Sequence, residues 1–167
     1  MARWLDRLLS RDKPYAPTPI AESSHLEVGD RVEFSGQIDA LSTLIDPVDG
    51  RPAVAMQYRA KAPAALQRFY GIKAYGNAID AHQATNFVLR DASGSALVEV
   101  EPGGNLGELH HQLQRKYGVE LEAEVEVIAP GERVRVQGRI VKVTQTGSPH
   151  RRDPWSAVVA AEAILLA

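Results

Sequence analysis

The sequence contains no cysteine. Disulfide frameworks, thiolate zinc sites such as RING fingers, and cysteine nucleophiles are therefore excluded. A chain without thiols is compatible with a reducing compartment. No apolar run approaches the roughly 18 residues that a membrane span requires. The longest, 157–167, is broken by Glu162. Near the start, Asp6 and Arg7 interrupt what would be the apolar core of a signal peptide. Aromatic residues make up only 6% of the chain, and the formal net charge is −2. Single-strand-binding folds need a basic groove and stacking aromatics, so both figures argue against nucleic acid as the partner. The expected location is cytoplasmic, or peripheral to the inner face of the membrane. At 167 residues the chain suits one domain with appendages.

What is present begins with an amphipathic segment. In 1–12, Leu5, Leu8 and Leu9, with Trp4 beside them, fall on one helical face, and Arg3, Asp6, Arg7 and Arg11 take the rest. Pro14, Pro17 and Pro19 then stop any helix and predict an extended linker over 13–25. The domain proper is expected over 26–167. Its first strand reads Gly29-Asp30-Arg31-Val32-Glu33-Phe34-Ser35-Gly36-Gln37-Ile38. About a hundred residues later the pattern returns as Gly131-Glu132-Arg133-Val134-Arg135-Val136-Gln137-Gly138-Arg139-Ile140. Apolar residues alternate with polar ones in both copies, as in half-buried strands. A glycine inside a strand weakens it, so each copy predicts a bulge or the sharp bend of a small barrel.

Between the copies, Val54, Met56 and Tyr58 alternate over 52–61. Residues 62–82 carry no clear period; 64–69 suits a helical turn, and Tyr70, Ile72 and Tyr75 fall in an irregular loop. A hairpin is expected over 84–101, turning at Asp91-Ala92-Ser93-Gly94. Asn105 is placed to cap a helix over about 106–117, with Leu106, Leu109 and Leu113 on one face and Gly118 ending it. Strands follow over 122–128 and 133–144, and a last one over 155–166, where the alanines also allow a helix. The predicted fold is mainly β: an OB-like, partly closed antiparallel barrel with one short helix, preceded by the N-terminal amphipathic helix.

Residue patterns that would carry catalysis are few and incomplete. The histidines are His25, His82, His110, His111 and His150, and none lies three or four positions from another, the spacing that helical metal ligands use. Gly103-Gly104-Asn105-Leu106-Gly107 precedes a helix but lacks the lysine of a phosphate-binding loop. No serine sits in a nucleophile elbow. Asp46 and Asp91 fall in turns, where an aspartate bonds its own backbone. Arg31, Arg133, Arg135, Arg139 and Lys142 could line one face of the repeated strands, but acids on neighbouring segments favour cross-strand ion pairs. No cofactor and no metal site is expected.

Several stretches taken in order resemble the bacterial GIDE-type domain, which is similar to the membrane-adjacent region of mitochondrial RING ubiquitin ligases. They are Phe34-Ser35-Gly36-Gln37-Ile38, Asp46-Pro47-Val48-Asp49-Gly50-Arg51-Pro52, Gln57-Tyr58-Arg59, Phe87-Val88-Leu89-Arg90-Asp91-Ala92-Ser93-Gly94, and Pro130-Gly131-Glu132-Arg133-Val134-Arg135-Val136-Gln137-Gly138. The resemblance implies an OB-like adaptor domain. It does not carry over ligase activity, because no RING can form without cysteine.

The sequence is thus read as a non-enzymatic interaction, scaffold or adaptor module. Its partner is a protein, a second copy of itself, or a membrane surface touched by the N-terminal helix. Trp4, Leu5, Leu8 and Leu9 are the first candidate contacts, and Tyr70, Ile72 and Tyr75 the second. The alternative is an OB-fold that binds single-stranded nucleic acid.

Overall fold

The computed structural model describes residues 15–61, 79–118, 121–144 and 154–167. In chain order the first elements are β1 (Ala16–Pro17), a 3₁₀ helix (Ile20–His25), β2 (Arg31–Ala40), β3 (Leu44–Ile45), β4 (Pro52–Ala53), β5 (Ala55–Lys61) and β6 (Ile79–Ala84). There follow β7 (Phe87–Arg90), β8 (Ser95–Glu99), α1 (Leu106–Tyr117), β9 (Glu122–Ile128), β10 (Arg133–Val143) and β11 (Ala157–Leu166). Strands β2, β7, β8, β11 and β10 pair in that order, and β10 pairs back onto β2. All these pairings are antiparallel except β8 with β11. Numbering only the barrel strands in chain order, the ring runs first, second, third, fifth, fourth, with the helix between third and fourth. That is the OB arrangement. The barrel is closed, where partial closure was expected, and the alanine-rich last segment is a strand.

The two matching segments lie side by side and are related by a local pseudo-twofold axis. Phe34 pairs with Val136 at its centre, Val32 with Gly138, and Gly36 with Val134. The hydrogen bonds beyond the ladder obey the same symmetry. Gly29 N donates to Ile140 O at 2.8 Å and Gly131 N to Ile38 O at 3.0 Å; Ile140 N donates to Asp30 O and Ile38 N to Glu132 O, both at 2.9 Å. The interior glycines have the predicted reason. A methyl group on Gly36 would collide with the Arg90 carbonyl, and one on Gly138 with the Ala160 carbonyl. β2 is changing partner from β10 to β7 near Gly36, and β10 shifts register against β11 at Gln137/Gly138. Val32, Phe34, Ile38, Val134, Val136 and Ile140 fill the interior with Phe87, Leu89, Val98 and Val159.

The segment expected as a linker over 13–25 is part of the fold from Tyr15 onward. β1 pairs in parallel with β2 at Val32 and Glu33, beside the stretch that β7 does not reach. Ile20 is fully buried in the barrel core. The prolines do stop an α-helix, but they leave room for an extended pair and one tight turn. That turn starts without a side-chain cap of its own. Asp91 and Ser93 at the β7–β8 tip supply one: Ile20 N donates to Asp91 Oδ2 at 3.0 Å, and Ala21 N to Ser93 Oγ at 2.9 Å.

The other end of the barrel is covered by a second layer. β5 pairs with β6 on one side and β9 on the other. Val54, Ala55, Ala84 and Ile128 belong to the barrel core, whereas Met56, Tyr58, Ala60 and Val125 form a second cluster with Leu106 and Leu113 of α1. The strand expected over 52–61 is therefore two: β4 pairs with β3, and β5 runs from one core into the other. Part of the aperiodic 62–82 region is the edge strand β6.

Candidate interaction surface

On the outer wall of β2, β10 and β11, Arg135 and Arg139 are engaged with acids. Arg139 Nε donates to Glu162 Oε1 at 2.7 Å, Arg135 Nη1 lies 3.9 Å from Glu33, and Gln137 Nε2 donates to Glu33 at 2.6 Å. Tyr15 Oη donates to Glu162, and the Arg31 guanidinium stands 5.7 Å from the Tyr15 ring centre. Burial pushes the Glu162 pKa up, but Tyr15, Arg139 and Arg31 together hold it below the ordinary carboxylate value. Burial, with Glu162, raises the Tyr15 hydroxyl. Of the five cations that could have formed a basic stripe, Arg135 and Arg139 are paired with acids, the use that the neighbouring acids favoured. Glu162, which joins Tyr15 to Arg139, was missed as a site residue; its one signal was a lone acid in an alanine-rich strand.

The turn residues that carried the family resemblance form a clamp. Asp46 Oδ1 accepts from Val48 N at 2.8 Å, and Asp46 Oδ2 accepts from Arg51 Nε at 2.9 Å. Arg51 Nη2 reaches Val125 O at 2.6 Å and so ties the turn to β9. Gly50 takes a positive φ of 72° to bring the chain round. Burial lowers the His110 pKa, and His110 Nδ1 lies 2.8 Å from Tyr58 Oη between α1 and the second sheet. The glycine-rich approach to α1 is a capped helix start. Asn105 Oδ1 accepts from Glu108 N at 3.0 Å, and Gln83 Oε1 from Leu106 N at 3.0 Å. Among the described residues no three His, Asp or Glu side chains stand close enough to hold a metal ion. No described helix is long and apolar enough to cross a membrane.

Trp4, Leu5, Leu8, Leu9, Tyr70, Ile72 and Tyr75 all lie outside the described residues. The structure places the flanks of the second group: β5 and β6 pair up to Ala60 and Ile79, so 62–78 is the connection of that hairpin. Exposed apolar residues missed from the sequence are Leu41, Ile45 and Val48 around the β3–β4 hairpin, and Val28 and Val141 on the barrel.

No family model and no curated protein matches this chain. Among solved structures, a Leishmania major protein described as an aspartyl-tRNA synthetase is similar over 95% of this chain, with a TM-score of 0.41 and 16% identity. The likeness spans 22% of that larger chain.

Proposed function

We propose that this chain is a non-enzymatic protein-interaction module, a scaffold or adaptor built on the closed barrel, with the N-terminal amphipathic segment as its docking element. The observation that carries the reading is the ion-paired wall. Arg135 and Arg139, the cations best placed to track a phosphate backbone, face Glu33 and Glu162 instead. A polyanion would have to displace those acids, whereas a mixed-charge wall suits a protein surface. Aliphatic side chains fill the barrel interior and favour binding over chemistry. We also read the chain as a GIDE-type domain, on the ordered motifs alone. The proposed location is cytoplasmic, with membrane contact through the same N-terminal segment.

Binding of labelled single-stranded oligonucleotides across a salt series tests the first choice. Weak binding without a steep salt slope is expected; tight binding with a steep slope defeats the reading. The docking element is tested by affinity capture with the full chain and with a chain starting at Tyr15. That start keeps Ile20 in the core, which a start at Leu26 would remove. Partner recovery should fall without the first 14 residues, and equal recovery removes the segment from the proposal.

A further inference from the structure

The β3–β4 hairpin ends the second layer with an open strand edge. Asp46 N donates to Arg51 O at 2.9 Å. By alternation Leu44 and Ala53 exchange hydrogen bonds, whereas Ile45 and Pro52 do not. Pro52, which has no N–H, suits that second kind of pair. A trans peptide unit holds its N–H and C=O on opposite sides. The Thr43 C=O and the N–H and C=O of Ile45 therefore point away from β4. Among the described residues none of these three groups has a hydrogen-bond partner. Leu44 turns its side chain onto the second cluster, so Ile45 turns outward and is 60% exposed. Leu41 and Val48 are exposed on either side of it in the chain. The edge is also rigid. The wholly buried Asp46 carboxylate accepts from Val48 N and Arg51 Nε, so little freedom is left to lose on binding.

Backbone groups left unpaired along a strand are a template for one more strand. Three exposed aliphatic side chains fall well short of the roughly 800 Å² per partner that a stable dimer buries. A second copy is therefore a poor occupant, and a short segment of another protein a good one. The residue opposite Ile45 shares its face, which asks for an apolar side chain there. Residues 41–50 contain two acids, Asp46 and Asp49, and no lysine or arginine. Arg51 serves both, at 2.8 Å from Asp46 and 3.3 Å from Asp49. One cation for two carboxylates leaves the tip net negative, and the Asp49 side chain is 60% exposed. A lysine or arginine in the added strand complements that charge.

We infer that the outer edge of β3 docks a short extended segment of a partner protein, which adds a strand beside Ile45. The segment is apolar where it faces Ile45 and carries a basic residue at the end near Asp49. The inference goes beyond the interaction reading. It needs nothing from the N-terminal segment, so it can fail while the capture experiment succeeds, and the reverse.

The probe is the synthetic peptide acetyl-Lys-Val-Thr-Val-Thr-Val-Lys-amide, titrated into the full-length nitrogen-15-labelled protein. Saturable amide shifts are expected around residues 43–48, with the β10 amides unmoved. The valines share the face of Ile45, so their N–H groups point at the edge and those of the threonines point away. N-methylating the valines should weaken binding about tenfold or more, whereas N-methylating the threonines should leave it nearly unchanged. Ile45→Lys and Asp49→Lys should each weaken it several-fold with the circular dichroism unchanged. The N-methyl comparison uses the unaltered protein, so it holds even where a substitution harms folding. No saturable shift at 43–48, or equal binding of the two N-methylated peptides, overturns the inference. Shifts at 43–48 that track protein concentration without peptide overturn it in favour of a second copy.

Discussion

Gly138 shows how one missing side chain shapes a wall. The Ala160 carbonyl occupies the space a β-carbon would need. Gly138→Ala is expected to cost about 2–4 kcal/mol, since backbone rather than a movable side chain must give way. At Gly104 an added methyl group would meet nothing within 4 Å, so Gly104→Ala is the control and should change the urea midpoint little. This much was legible beforehand, because a glycine in a strand asks for a close approach. Asp91 was legible only as a turn residue. Burial raises its pKa, but the amides of Ile20, Ser93 and Gly94 and the Ser93 hydroxyl outweigh that and hold it below the ordinary value. A depressed folded pKa means the unfolded chain binds more protons in acid. Its stabilisation is therefore complete above the unfolded value of about 3.9 and is lost as pH falls through the lower folded value. Asp91→Asn should be less stable than the parent at pH 7, with the gap closing below about pH 4. A gap independent of pH would remove the carboxylate from the account.

Among the elements, the short strap of β1 and the 3₁₀ helix contributes more than its length suggests. Ile20 is wholly buried, and Ile20→Ala should cost about 2–4 kcal/mol in urea unfolding. A chain beginning at Leu26 should melt well below one beginning at Tyr15; equal melting temperatures would make the strap an ornament. The sequence concealed this element because three nearby prolines dominate any local reading, and a single isoleucine has no period. α1 was legible for the opposite reason: Asn105, the leucine spacing and Gly118 mark both ends and one face. Surface patches divide similarly: an amphipathic face can be read from spacing, whereas the outward row of Val88, Leu97 and Val158 exists only once the β7–β8 hairpin is set beside β11.

For the molecule as a whole, the barrel strands could be named from alternation, but the second layer could not. β5 is buried on both sides of its path, with Ala55 in one core and Tyr58 in the other. Its alternation of Met56, Tyr58 and Ala60 with Gln57, Arg59 and Lys61 marks a strand, but not that the strand passes from one core into another. The two clusters share it, so they should unfold together: circular dichroism and tyrosine fluorescence are expected to give coincident urea transitions. Separate midpoints would make the second layer an independent unit. The local dyad between β2 and β10 has a last consequence. Each strand is a near copy of its partner, and about a hundred residues must be arranged before the correct one arrives. During that delay the same edge on a neighbouring molecule offers an almost equivalent mate. Refolding at high protein concentration should therefore yield interlocked dimers that rapid dilution suppresses, a hazard created by the repetition that gives the barrel its symmetry.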